Sequence, residues 1–152
     1  MELNTPQGTL FAYTGAREHQ DQQQAVVFIH GTGMDHTVWV LPSRYFARHG
    51  YNVMAIDLPA HGRSKGQPAP TIDAMAEAVI EAMTAANVAT AAIVGHSMGS
   101  LVALSAAARY PDRVRSLALI GSTAPMGVHP DMLKYASDND HGVIDMLTYW
   151  GY

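Results

Sequence analysis

Apolar residues cluster in four short runs, at 25–29, 51–56, 91–94 and 114–120. None alternates strictly with polar residues, and turn-forming residues flank them, as expected for strands covered on both faces. Between these runs the apolar spacing changes to three and four. Thr71 precedes Ile72, Met75, Ala76, Val79, Ile80 and Met83, with Asp73 in the first turn and Asn87 as a stop, so a capped amphipathic helix is predicted there. A second helix, rich in Ala and Leu, is predicted over 98–110 and halted by Pro111, and a weaker one over 38–48 ended by Gly50. Strand, helix and strand repeated in this way predict an α/β fold whose sheet is mostly parallel, with helices on both faces. Residues 8–14 read as an antiparallel strand or hairpin arm, while the Gln-rich stretch 18–24 and the Gly- and Pro-rich stretch 58–70 read as loops.

After Ser122 the pattern changes. Pro125, Gly127 and Pro130 lead into two short helical patterns, 131–136 and 142–150, the latter carrying Val143, Met146, Leu147 and Trp150 ahead of Gly151 and Tyr152. The chain is therefore expected to divide into 1–122 and 123–152, with no strand in the second part. No internal repeat is present.

Composition narrows the function. With 48% hydrophobic residues in 152, the chain has the material for a proper core. Nine basic residues against thirteen acidic give a net charge of −4. Only Arg109, Arg113 and Arg115 lie close together, so a phosphate-backbone footprint is missing and nucleic acid is not an expected partner. Zero cysteines removes disulfides, thiolate zinc sites and a cysteine nucleophile. Glu2 stands where a signal peptide carries Lys or Arg, and no run approaches the roughly 18 apolar residues of a spanning helix. A cytoplasmic protein without a membrane partner is expected.

The chemistry concentrates at the ends of the apolar runs. Gly95-His96-Ser97-Met98-Gly99 is a G-x-S-x-G between a predicted strand and a predicted helix. A serine at such a turn is forced to φ > 0, and side chains two positions either side would collide with the turn, so glycines are needed at 95 and 99. The arrangement lifts the hydroxyl clear of the sheet and aims a helix N-terminus at developing negative charge. The run 25–29 leads into His30-Gly31-Thr32-Gly33-Met34-Asp35, a loop able to aim a backbone N–H at a substrate oxygen. The amides of Thr32 and Met98 are the expected donors. A nucleotide site is not expected, because His36 replaces the third glycine of G-x-G-x-x-G and no P-loop occurs. His30, Asp35 and His36 are potential metal ligands, but their spacing matches no known signature, and no metal is expected. Asp57-Leu58-Pro59-Ala60-His61-Gly62-Arg63-Ser64 follows the second run. Asp57 is either a catalytic acid by position or an anchor tying down that loop.

Taken in order, a strand with HG-x-G, a strand with D-x-P-x-x-G-x-S, and G-x-S-x-G resemble the α/β-hydrolase family over residues 8 to about 122. The resemblance implies an α/β-hydrolase-like sheet, with Ser97 as nucleophile and the Thr32 and Met98 amides as oxyanion hole. Gly95, Gly99, Gly31, His30 and His96 become structural residues of the elbow and oxyanion loop. It further implies acyl transfer to water on a small-molecule carboxylic ester, with lactone, N-terminal amide and C–C cleavage as alternatives, and no cofactor. In the family an acid and a histidine follow Ser on later strands. Here the only downstream histidines are His129 and His141, in the segment resembling the start of a helical cap. The sequence thus reads as a hydrolase cut within its cap, and a non-catalytic scaffold is the competing expectation. With no strand after 114–120, that strand is expected to leave an open edge through which the chain self-associates.

Overall fold

The computed structural model describes residues 1–150, apart from the side chain of Trp150; the expectations placed on that side chain, Gly151 and Tyr152 lie outside the described residues. Two compact units are present, Met1–Ser122 and Thr123 onward.

The first unit holds six strands: β1 (Glu2–Thr5), β2 (Gly8–Tyr13), β3 (Ala25–Ile29), β4 (Asn52–Asp57), β5 (Ala91–His96) and β6 (Val114–Ile120). Its helices are α1 (Val40–Arg48), α2 (Ile72–Ala85) and α3 (Met98–Arg109), and a 3-10 turn, His36–Trp39, precedes α1. One sheet runs in the order β1-β2-β4-β3-β5-β6. β3 pairs parallel with β4 and β5, and β5 with β6, whereas β1 and β2 are antiparallel. The sheet is mostly parallel.

Alternate residues of the central strands point to opposite faces, and each face is apolar. Val27, Ile29, Met54, Ile56 and Ile93 pack with Ala76, Val79, Met83, Val102 and Ala106 of α2 and α3. Val26, Phe28, Val53 and Ala55 pack with Trp39, Phe46 and Ala47 beside α1. Helices therefore cover both faces, which is why the runs at 25–29 and 51–56 show no alternation. Thr71 caps α2 by accepting from the Ala74 amide at 3.1 Å, and Asn87 takes φ 56° beyond its end. Several boundaries shift by a residue or two, and near the site the predicted helix over 38–48 begins as the 3-10 turn, β4 extends through Asp57, and β5 through His96.

The topology places the site. From β3 the chain moves to β4 on one side, then returns past β3 to β5 and β6 on the other. The reversal falls between β3 and β5, where loops leaving neighbouring carboxyl ends diverge and open a crevice. Both predicted functional loops leave the sheet at that point.

β6 has the apolar composition of a strand covered on both faces, but it lies at the sheet edge, as expected with no strand after it, and leaves Leu117, Leu119 and Ile120 37%, 41% and 46% exposed. In the second unit, α4 (Pro130–Ser137) and α5 (Gly142–Trp150) pack on one another, and no strand occurs among the described residues. Among the described residues no helix is long and apolar enough to cross a membrane.

Candidate active site

Ser97 occupies the turn between β5 and α3 with φ 52° and ψ −123°, a conformation that costs on the order of 1–3 kcal/mol for a residue with a Cβ. The surroundings enforce it. The Ser97 amide donates to the Ile120 carbonyl at 2.9 Å, which extends the β5–β6 ladder into the turn. The Ser97 carbonyl accepts from the Ser100 amide at 2.8 Å and from its hydroxyl at 2.5 Å, which starts α3 at once. Glycine is required on either side. A Cβ on Gly95 would strike the Gly99 carbonyl, and one on Gly99 would lie 2.5 Å from the carbonyl oxygens of both Ile29 and His30. Ser97 makes no capping bond through its side chain, so Oγ is left uncommitted at the half-buried tip of the elbow.

The loop after β3 lies against this elbow. A Cβ on Gly31 would stand 3.2 Å from Ser97 Cβ and 3.1 Å from His96 Nδ1, a tight fit that a side chain there would have to relieve by shifting its neighbours. The next residue, Thr32, is exposed, and its amide donates to no acceptor among the described residues. Met98 is the first residue of α3, so its amide has no partner within the helix either. Ser97's own amide is taken by the Ile120 carbonyl of β6, while the amides of Thr32 and Met98 have no acceptor among the described residues. His96 fills the space beside Gly31 and Gly121.

His30 is fully buried. Its Nε2 accepts from the Leu58 amide at 3.1 Å, so the proton sits on Nδ1, which donates to the Gly31 carbonyl at 2.8 Å. Burial pushes its pKa below the usual histidine value, and the hydrogen bond to Gly31 opposes this only in part. A neutral imidazole thus ties the end of β3 to the end of β4.

Asp57, also fully buried, is an anchor in its geometry. Its oxygens accept from the His36 amide at 2.6 Å, from His36 Nδ1 at 2.9 Å and from the Arg63 amide at 2.9 Å. These bonds hold the loops after β3 and β4 together. Ser64 adds a further tie, accepting from the Phe11 amide at 2.8 Å and donating to the Asp57 carbonyl at 2.6 Å. Sequence reasoning noted Ser64 only as part of a motif and gave His36 no such role. The D-x-P-x-x-G-x-S spacing carried a signal for the serine; nothing in the sequence links His36 to an aspartate 21 residues away.

For a metal, Asp35, His36 and Asp57 bring ligand atoms within 4.8 Å of one another, while His30, considered with them in sequence, is not in the group. Several of these atoms are engaged within the protein. Asp35 Oδ1 accepts from the amide and hydroxyl of Thr37, and the hydroxyl holds its carboxyl below the usual range. Both Asp57 oxygens accept from His36 Nδ1. In the second unit, His129 Nδ1 accepts from the Asp131 amide at 3.3 Å as the N-cap of α4, and His141 precedes α5.

Comparison with known proteins agrees with this architecture. The chain is 32% identical over 124 residues to a pimeloyl-[acyl-carrier protein] methyl ester esterase of Vibrio cholerae, covering 77% of this chain and 47% of that protein. It is 32% identical over 102 residues to an (E)-2-((N-methylformamido)methylene)succinate hydrolase of Acinetobacter baylyi, covering 66% of this chain and 38% of the relative. An epoxide hydrolase from an endophytic Streptomyces superposes with a TM-score of 0.72 at 27% identity, over 90% of this chain and 41% of that one. The chain thus spans less than half the length of these relatives. A profile of the alpha/beta hydrolase fold matches residues 24–151, which takes in the β3 loop, the elbow and α3. With that match, a mostly parallel sheet and a strained serine at its switch point, the chain belongs to the alpha/beta hydrolase family.

Proposed function

We propose that this hydrolase chain carries the nucleophile and oxyanion hole of a serine esterase. The observation that carries the reading is Ser97 at φ 52° in the turn between β5 and α3, making no side-chain cap bond and with the Gly31 loop packed against it. In the proposed cycle, Ser97 Oγ attacks the ester carbonyl carbon as a general base removes its proton. The carbonyl oxygen becomes an oxyanion facing the Thr32 and Met98 amides, and collapse expels the alcohol, which takes the proton back. Water then attacks the acyl-serine by the same route and frees the acid and Ser97. This cycle uses no cofactor. A small carboxylic ester is favoured as substrate by the esterase among the relatives, and serine at 97 fits acyl transfer. We read residues 123–152 as the start of a cap that shapes substrate choice.

Covalent labelling tests the assignment. A phosphonofluoridate in large excess is expected to form one adduct on Ser97, slowly because no base activates the hydroxyl, found by peptide mass spectrometry and absent from Ser97→Ala. An adduct elsewhere, or equal labelling of Ser97→Ala, would remove Ser97 from the mechanism and favour a binding-only scaffold.

We also read the β6 edge as a self-association surface, since its outer backbone groups lie next to the exposed Leu117, Leu119 and Ile120. Light scattering of the 152-residue chain is expected to show a mass that grows with concentration. A monodisperse monomer with a cooperative denaturant transition would contradict this.

A further inference from the structure

We propose that His30 is a positioning residue for catalysis, one that fixes the orientation of the Gly31–Thr32 peptide and thereby aims the Thr32 amide. The proposal rests on the reading of Thr32 as an oxyanion donor and goes beyond it by naming what holds that donor in place. A trans peptide directs its C=O and N–H in opposite senses, so fixing one fixes the other. Gly31 has no side chain to bias this peptide, and glycine admits both orientations at little cost. Something else must choose.

The Gly31 carbonyl accepts from His30 Nδ1 at 2.8 Å and, less closely, from the Met34 amide at 3.3 Å. Thr32 N–H is consequently turned away from the His30 ring. His30 can donate from Nδ1 in its neutral state only if Nε2 is bare, and the Leu58 amide enforces that by donating to Nε2 at 3.1 Å. The tautomer is therefore set at the carboxyl end of β4, where the buried Asp57 immediately precedes Leu58. Its effect appears at the end of β3. Full burial of the ring keeps water from competing for either nitrogen. The ring of His61, centred 5.0 Å away, and the Asp57 and Asp35 carboxylates are the charged or titratable groups that act on it. A ring that only filled space would not need a defined tautomer.

NMR of the full ¹⁵N-labelled chain tests the proposal through two readouts. The first is the imidazole nitrogens of His30, expected to report an Nδ1–H tautomer at pH 8 that stays neutral below about pH 6.5, the ordinary histidine value. An Nε2–H tautomer, or a cation at neutral pH, overturns the proposal without any variant. The second readout follows the Thr32 and Met98 amides during titration with butylboronic acid, whose adduct on Ser97 Oγ places an oxygen at the oxyanion position. Both amides are expected to shift in the wild type. His30→Asn keeps an N–H donor close to the Nδ1 position and should retain both shifts, with affinity within about threefold. His30→Gln moves the donor to the Nε2 position and should lose the Thr32 shift, keep that of Met98, and bind about tenfold more weakly or worse. Melting temperatures of the two variants should agree within a few degrees. If the wild-type Thr32 amide stays silent, the oxyanion reading fails and takes the proposal with it. If it responds in the wild type and equally in both variants, the oxyanion reading stands and only the positioning role is overturned.

Discussion

Replacing Gly99 with alanine is expected to destabilise the chain by about 3 kcal/mol or more, a large part of the 5–15 kcal/mol that holds a domain folded. Two effects compete at this position. Gly99 lies in the first turn of α3, where alanine gains up to about 1 kcal/mol in helix propensity. Against that, the new methyl would sit 2.5 Å from the carbonyl oxygens of Ile29 and His30 and 2.8 Å from the Ile29 carbonyl carbon. These are backbone atoms at the end of a central strand paired on both sides, so neither can retreat without breaking the ladder. The clash wins. Gly50→Ala isolates the other reason a protein keeps glycine. Its φ is 84° and no atom lies within 4 Å of a Cβ built there, so only backbone strain opposes the change, at about 1–2 kcal/mol. Urea melts followed by circular dichroism should rank Gly99→Ala well below Gly50→Ala. Equal midpoints would mean that the elbow is looser than its contacts require.

The same contrast explains what could be read from the sequence. Gly95 and Ser97 were legible because the local turn demands them and local turns are written in consecutive residues, whereas Gly99, marked by the same motif, is required by the Ile29 and His30 carbonyls of the neighbouring strand end. The central strands were legible because burial on both faces leaves a continuous apolar run. β1 was not: in Glu2–Thr5 only Leu3 is apolar and buried, and the strand is defined by its pairing with β2 rather than by its own pattern. The clasp of His36 on Asp57 was invisible for a similar reason, since the topology of β3 and β4 brings the two together. β6 is the converse case. Its apolar residues alone announce a covered strand, and its exposed edge was legible only from the lack of strand character after it, since coverage depends on neighbours that a strand's own residues do not record. For the site, the sequence pointed to Thr32 and Met98 as candidate donors, while the bond from His30 Nδ1 to the Gly31 carbonyl and that from the Ser97 amide to the Ile120 carbonyl emerged only from the fold.

Hydrolysis of p-nitrophenyl esters by the 152-residue chain is expected to exceed the reaction in water by only about 10³–10⁴, the contribution left to an oxyanion hole and binding once a triad is incomplete. A triad whose histidine is removed loses on the order of 10⁶ in kcat, so the two outcomes are far apart. The histidines of the first unit argue for the lower figure. No histidine is hydrogen-bonded to Ser97 Oγ among the described residues. His19 is bonded to the Val53 carbonyl near the amino end of β4, the end of the sheet opposite the elbow. His30 has both nitrogens engaged, and His36 gives Nδ1 to Asp57 with its ring against Phe11 and Tyr13 of β2, away from β5. His49 is bonded to Tyr45 beyond α1 and His61 to Pro59 in the loop after β4. His96 adjoins Ser97 in the chain, but among the described residues no carboxylate is bonded to its ring to orient it or stabilise its cation, which is what makes a histidine an effective base. Steady-state rates over a series of acyl lengths, with Ser97→Ala as the control, decide the matter. Turnover near that of a working triad and abolished by Ser97→Ala would place a base within these 152 residues, and His96→Gln, His129→Ala and His141→Ala would then show which histidine it is.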